Sequence, residues 1–347
     1  FFSSNNYNII LVIIILNEIF SKKNELIALN RLYEITLTIN GSGRQNILNQ
    51  DSNVPQPNVM IVNEIQQSRI KYSVDLSQQV NTIVFKWNNP LTDCSNMFAD
   101  PTNIIAIDLS KFDTSTVQKM FCMFCGLPYL TSLDLSSFDT RSAIDMTFLF
   151  NGCKSLTSLD LSNFDTSKVT SMAMIFQDCN SLLSLDLSSF DTSNADDLSF
   201  MFYGCNSLKS IYFNNFSTSK ATTISGMFGG CSSLSSLNLS SFETSEVTNF
   251  NYVFYGCTSL KSLNLGNFVT SKATKMNMMF NECSSLTSLD LSSFDTSEVT
   301  DFSLMFYGCS SLKSLNVNNF ITSKAELMPG MFSGCSSLSS LNISSFD

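Results

Sequence analysis

The chain of 347 residues contains no histidine. Without an imidazole, Ser-His-Asp and Cys-His nucleophilic mechanisms are excluded, and so are histidine-ligated metal sites. Charge is also scarce. Asp, Glu, Lys and Arg make up 14% of the chain, against the usual quarter, and Ser, Thr and Asn fill the gap. The charge present is lopsided: 19 basic against 29 acidic residues, a net charge of −10 and a pI of about 4.5. A phosphate-backbone partner needs a basic stripe, and none is visible, so no nucleic-acid partner is expected. Anionic lipid headgroups should be repelled. No apolar run reaches the ~20 residues of a membrane-spanning helix. The unbroken run at 9–16, IILVIIIL, is shorter. It suits the apolar region of a secretory signal whose basic start has been lost; a buried strand or the end of a truncated membrane anchor would read the same way.

What the chain has in quantity is phenylalanine, 30 residues, within a 44% hydrophobic composition that suffices for a sizeable core. The phenylalanines are periodic. Phe98, Phe124, Phe150, Phe176, Phe202, Phe228, Phe254, Phe280, Phe306 and Phe332 fall at steps of 26 residues without insertion. In eight of the ten units a cysteine follows three positions later, at Cys153, Cys179, Cys205, Cys231, Cys257, Cys283, Cys309 and Cys335. A second phenylalanine follows at fourteen positions, as in Phe268, Phe294 and Phe320. Fixed self-similarity of this kind is the mark of a stacked repeat protein, in which no unit buries its apolar face alone.

Two periodicities share each unit. In SLTSLDLSSF, Leu289 and Leu291 alternate with polar residues, as in a half-buried strand. In EVTDFSLMFYGC, Val299, Phe302, Met305, Phe306 and Cys309 step by three or four, which predicts a short helix. Thr296-Ser297 stands where an N-cap would sit, and Gly308 where a helix would end. The expected fold class is therefore an α/β solenoid, with strand–turn–short helix units stacked so that a parallel sheet lines a concave face.

These residues resemble a known family. Leu286-Thr-Ser-Leu289-Asp-Leu291-Ser-Ser-Phe294 looks like a leucine-rich-repeat core with phenylalanine in place of the frequent asparagine. The longer pattern MFxxCxSLxSLxLSxFxTSxVT is similar to the BspA-like leucine-rich-repeat surface proteins of bacteria and protists. The resemblance spans about three-quarters of the chain, in ten units. It implies a secreted or cell-surface adhesion role, with no catalytic residue to carry over. Pro101 and Leu127 depart from the pattern, standing where the first two units should have cysteine.

The expected domains are a truncated signal or anchor segment at 1–30, a β-rich N-terminal cap at 31–90 and the repeat stack at 91–347. The cap follows from alternating apolar runs (YEITLTI, PNVMIVN, IKYSVDL, NTIVFKW) divided by turn signals; Trp87 should pack near its junction with the repeats. The chain starts at Phe1 and stops within a repeat at Asp347, which reads as a fragment of a longer frame, truncated at its C-terminal side. From Phe202 onward the units alternate in type. The position after the Thr-Ser pair runs Lys220, Glu246, Lys272, Glu298, Lys324, a column suited to ion pairs between neighbouring units.

Columns also define the candidate sites. The cysteine file reads as core packing, because buried thiols behave as small hydrophobes. Cys94, Cys122 and Cys125 lie off that file. Cys122–Cys125 is a lone CxxC, a weak zinc signal without a second pair or histidine; a disulfide involving Cys94 is the stronger expectation in an oxidising compartment. No metal or cofactor is expected. On the outward strand face the central file reads Asp108, Asp134, Asp160, Asp186, Tyr212, Asn238, Asn264, Asp290, Asn316 and Asn342, flanked by serines. Its first four aspartates should repel one another and raise some of their pKa values, or attract a cation. Asn40, Asn215, Asn238 and Asn342 head N-x-S sequons. The function expected is non-enzymatic binding or adhesion at the cell surface or outside the cell. The file would recognise a protein or glycan on another cell or host surface, and membrane contact would come only through an N-terminal or missing anchor. The alternative is a structural spacer or an intracellular protein-interaction scaffold.

Overall fold

The computed structural model describes residues 33–346 apart from 100, 102 and 215. The expected signal or anchor segment and the sequon at Asn215 lie outside the described residues. Six strands precede the repeats: β1 (Tyr33–Asn40), β2 (Gly43–Asn46), β3 (Val59–Val62), β4 (Ile65–Gln66), β5 (Ser73–Leu76) and β6 (Val80–Trp87). Alternation decides which side chains go inside. β1 buries Ile35, Leu37 and Ile39, and β6 buries Ile83, Phe85 and Trp87.

The first repeat joins this sheet directly. Its strand β7 (Ile104–Lys111) lies antiparallel to β1, with Ile107 opposite Leu37, and parallel to β8 (Ser132–Asp134) of the next repeat. The sheet order β4-β3-β6-β1-β7-β8 makes the N-terminal strands a continuation of the stack. Trp87 marks the seam, as expected: its indole N–H donates to the Pro55 carbonyl at 2.7 Å, and its ring meets Phe112 of the first repeat edge-on at 6.0 Å.

Among the described residues there is no helix, which overturns the α/β solenoid of strand–turn–short helix units. Each repeat is a coil of extended segments and tight turns. The unit containing Phe254 shows why the helical spacing misleads. Tyr255 N–H donates to Tyr252 C=O and Cys257 N–H to Phe254 C=O, both turns of three residues. The alternate N–H groups go to the next coil: Phe250 to Lys275, Tyr252 to Asn277, Phe254 to Met279 and Gly256 to Asn281, at 2.7–3.1 Å. A helix would spend all of these on carbonyls four residues back. Successive three-residue turns bring apolar side chains inward at the same three-to-four spacing, so the pattern fits both geometries. The curvature expected from helical crossovers, and the concave face with it, has no basis in such coils.

The single continuous parallel sheet is also corrected. Beyond β8, ladders of three residues join β9 (Ser184–Asp186) to β10 (Ser210–Tyr212), and β11 (Ser288–Asp290) to β12 (Ser314–Asn316). The equivalent residues at 236–238 and 262–264 belong to no strand. A different column provides continuity. Parallel bridges run Asp93, Lys119, Asp145, Ser171, Asp197, Thr223, Asn249, Lys275, Asp301, Leu327, one per coil.

Inside, like stacks on like. The rings of Phe254, Phe280, Phe306 and Phe332 are parallel within 11° at 5.6 Å between successive centroids. Offset aromatic pairs of this kind add ~0.5–1.5 kcal/mol each beyond burial. The cysteine file packs beside them as expected, and each thiol has a partner: Cys257 Sγ donates to Phe228 O and Cys283 Sγ to Phe254 O, at 3.2 and 3.1 Å. Burial pushes the Cys153, Cys205, Cys257 and Cys309 thiols up to about 12. The threonine of each Thr-Ser pair is no helix cap. Thr270 is buried; its hydroxyl donates to Asp295 O and accepts from Asp295 N–H, both at 2.9 Å, in the following coil. Thr140, Thr218, Thr244 and Thr296 repeat the pattern.

Replacing Thr270 with valine keeps the shape and leaves the N–H and carbonyl of Asp295 without their partner in the buried side chain. The expected loss is ~2–4 kcal/mol in denaturant unfolding. Thr274→Val should cost under ~1 kcal/mol, because that exposed hydroxyl makes one bond, to Thr248 O at 3.3 Å. Equal losses would contradict the bridging role of Thr270.

Candidate binding surface

The ten candidate residues fall in one column of the stack, one per coil. Asp108 is on β7, Asp134 on β8, Asp186 on β9, Tyr212 on β10, Asp290 on β11 and Asn316 on β12. Asp160, Asn238, Asn264 and Asn342 occupy the same place in coils without a named strand. All are exposed except Asn316, which is half-buried. β7 pairs Asp108 with Asp134, β10 pairs Tyr212 with Asp186, and β12 pairs Asn316 with Asp290.

The expected rise of the aspartate pKa values is reversed at Asp134, Asp160 and Asp186. Each carboxylate is held by its own turn. The Asp134 carboxyl is kept below the usual range chiefly by the backbone N–H of Ser136 at 2.9 Å and then by that residue's hydroxyl; the neighbouring charge of Asp160 pushes the other way and is outweighed. The hydroxyl and then the N–H of Ser162 lower Asp160, and those of Ser188 lower Asp186. At Asp290 the N–H of Ser292 leads, with Asn316 adding a bond at 2.9 Å. An acidic residue two positions before a serine makes a local hydrogen-bonded turn, and that local bond exceeds repulsion between exposed carboxylates in water. The asparagines use the same turn: Asn238 Oδ1 accepts from Ser240 N–H and Asn264 Oδ1 from Gly266 N–H, both at 3.1 Å. Their amide donors remain available on the surface.

The face is hollowed where strand pairing lapses. Three shallow depressions adjoin one another. One of about 520 Å³ lies between Tyr212 and Asn238, one of about 240 Å³ between Asn238 and Asn264, and one of about 280 Å³ between Asn264 and Asp290. Tyr212, 56% exposed, stands at one end of this row. The column ion pairs form at the expected place, Lys272 to Glu246 at 2.6 Å and Lys324 to Glu298 at 2.7 Å, each lysine reaching back one coil.

Two features escaped the sequence reading. The first is an outer turn edge where the backbone is left-handed in coil after coil: Phe148, Met174, Phe200, Tyr252, Met278 and Leu304 have φ between 54° and 60°, unusual for bulky residues. The side chain three positions on packs against this corner, as in Phe200–Tyr203 at 5.5 Å and Tyr252–Tyr255 at 6.1 Å. Gly226 and Gly229 sit beneath the rings of Phe200 and Tyr203, where a Cβ would come within 2.4 and 2.6 Å of them. The glycines expected to end helices occupy a second left-handed corner, Gly204, Gly256 and Gly308. The recurring Tyr-Gly-Cys was the available signal. The second feature is a cleft of about 740 Å³ between β1, β6 and the first repeats, lined by Glu34, Lys86, Lys111, Asp139 and Arg141. Its charges answer one another. Burial would raise Glu34, but Lys86 at 2.7 Å and Lys111 at 3.2 Å hold it below its ordinary value, and Arg141 grips Asp139.

The cysteines outside the file are also placed. The expected bond to Cys94 is absent: Cys94 is buried and free, while Cys122 and Cys125 are bonded to each other, with Cα atoms 4.7 Å apart. Cys94 replaces the inward methionine of later coils (Met120, Met146), and its side chain is committed to the core.

A family profile described as Mycoplasma protein of unknown function, DUF285, matches residues 66–130, 92–211, 126–238, 175–288 and 222–346. The chain belongs to this family. The DUF285 matches overlap and run from within the N-terminal strands to the final coil, as expected of a profile that can settle at several places along one repeating pattern. No curated protein matches the chain.

Because the turn N–H bonds favour the ionised form, the carboxylates of Asp134, Asp160, Asp186 and Asp290 should titrate below the ~3.9 of a free aspartate. A depressed folded-state pKa contributes stability that is fully present above the unfolded value and is lost as pH falls through the folded one. Carboxyl-carbon NMR titration should therefore show midpoints below ~3.9, with any loss of stability from these groups setting in under about pH 4. Midpoints above the free value would restore like-charge repulsion as the dominant effect.

Proposed function

We propose that this protein is a non-enzymatic binding module, and that the strand-face column from Tyr212 to Asp290 takes an extended protein or glycan partner lying across the coils. The observation that carries this reading is the row of adjoining hollows beside an exposed tyrosine. Tyr212 offers a stacking face. Asn238 and Asn264 offer amide donors, and Asp186 and Asp290 offer acceptors at either end. An extended polymer can meet such groups at one contact per coil, which suits a surface built by repetition. The cell-surface or extracellular setting is part of the proposal. It is supported by the likeness of the MFxxCxSLxSLxLSxFxTSxVT pattern to BspA-like surface proteins and by the apolar run at 9–16. Spacer or scaffold use is the second reading, favoured by the uniformity of the bonds between coils.

Probing glycan and protein arrays with the whole chain, then with the Tyr212→Ala/Asn238→Ala/Asn264→Ala variant, tests the surface. Binding should weaken by ~10–100-fold with the melting temperature unchanged. Undiminished binding by the folded variant would remove this face from consideration. Protease shaving of intact cells tests the setting: cleavage is expected, and full protection would favour the intracellular scaffold.

A further inference from the structure

We propose that Cys122 and Cys125 form a redox-responsive site, a dithiol–disulfide couple on the outer turn edge that exchanges with soluble thiols while the buried cysteine file stays inert. The argument rests on where the coil places the two residues. Cys122 takes the left-handed corner, with φ 53°, and Cys125 the position three residues on. The side chains at these two positions converge in other coils too, where Phe200 meets Tyr203 and Tyr252 meets Tyr255. The backbone therefore brings the sulfurs together whether or not they are bonded. Cys122 N–H donates to Thr147 O of the next coil at 3.0 Å, and Cys125 N–H returns to Cys122 O at 3.4 Å. The turn is thus held by backbone bonds that do not need the disulfide.

Access separates this pair from the other cysteines. Cys122 is only half-buried and Cys125 is 8% exposed, whereas Cys153 through Cys309 in the file are fully covered. Each file thiol already donates to a phenylalanine carbonyl, and burial pushes it away from the reactive thiolate form. A disulfide closing so short a loop constrains the unfolded chain little, so opening it leaves the stack folded and the change can be reversed.

The exchange is balanced as follows. A soluble thiolate attacks Sγ of Cys122, the more accessible sulfur. The S–S bond breaks, a mixed disulfide forms, and Cys125 leaves as a thiolate that takes a proton from water. A second soluble thiol attacks the mixed disulfide, freeing the Cys122 thiol and leaving the reagent as its own disulfide. The protein gains two electrons and two protons, and two reagent thiols are oxidised.

The test uses the whole chain, oxidised with diamide and alkylated with iodoacetamide under native conditions, with and without dithiothreitol. Peptide mass spectrometry then reads the 11 cysteines. Before reduction neither the pair nor the covered file from Cys153 to Cys309 should be labelled, while half-buried Cys335 reports an accessible free thiol. After reduction Cys122 and Cys125 should be labelled at least ~10-fold faster than any file cysteine from Cys153 to Cys309. Removal of dithiothreitol and fresh diamide should restore protection. Labelling of Cys122 and Cys125 in the diamide-treated protein, a bond from either to Cys94, or labelling of the file in step with the pair would each overturn the proposal. The Cys122→Ser/Cys125→Ser variant should lose all dithiothreitol-dependent labelling at an unchanged melting temperature. Persistent labelling would place the couple elsewhere, and a large fall in melting temperature would make the bond structural.

Discussion

Everything in the repeats depends on one backbone bond, the N–H that donates to a carbonyl 25 residues ahead in the next coil. It recurs at Phe124, Phe150, Phe176, Phe202, Phe228, Phe254, Phe280 and Phe306 within 2.9–3.0 Å. An N–H committed to the neighbouring coil is lost to a local helix, so the ladder and the helix are alternatives. The ladder also fixes the period. An insertion of one residue would strand the donors beyond it in a dry interior, where an unmade bond costs ~1–3 kcal/mol. The unbroken step of 26 residues is what that constraint demands.

Once the coils are in register, side chains fall into files and each file solves its own problem. The phenylalanines stack with planes nearly parallel, 2° apart for Phe280 and Phe306. The thiols beside them add a second bond to carbonyls that already accept the N–H of a turn. The buried threonines act as both donor and acceptor toward one residue of the next coil. On the outside the same regularity would align like charges. The structure answers with alternating lysine and glutamate in one column and with serine-held aspartates in another.

The stack, its period, its inward residues and its N-terminal strands were legible from the residues, because burial and alternation mark the chain directly. Leu291, Phe294, Val299 and Phe302 were read as core and are buried. The helix was not there to be found. Its evident sign, apolar residues three and four apart from Val299 to Cys309, arises equally from consecutive three-residue turns, and what separates the two is where the N–H groups go. Composition alone does not reveal that. The left-handed corners at Phe200, Tyr252 and Leu304 were illegible for the same reason, since bulky residues seldom adopt that conformation. The candidate column does point outward, as read, but its electrostatics were misjudged: an Asp two residues before a Ser is a turn before it is a charge.

The ladder also limits where function can lie. The interior is spent on the ladder and its files, which leaves the outward edges, among them the hollowed strand face near Tyr212 and the turn edge that carries Cys122 and Cys125. NMR scalar coupling across hydrogen bonds reads the inter-coil ladder most directly. A coupling is expected from the amide nitrogen of Phe254 to the carbonyl carbon of Met279, where the bond is 2.9 Å long. A coupling from Phe254 to the carbonyl of Phe250, the helical partner, would contradict it.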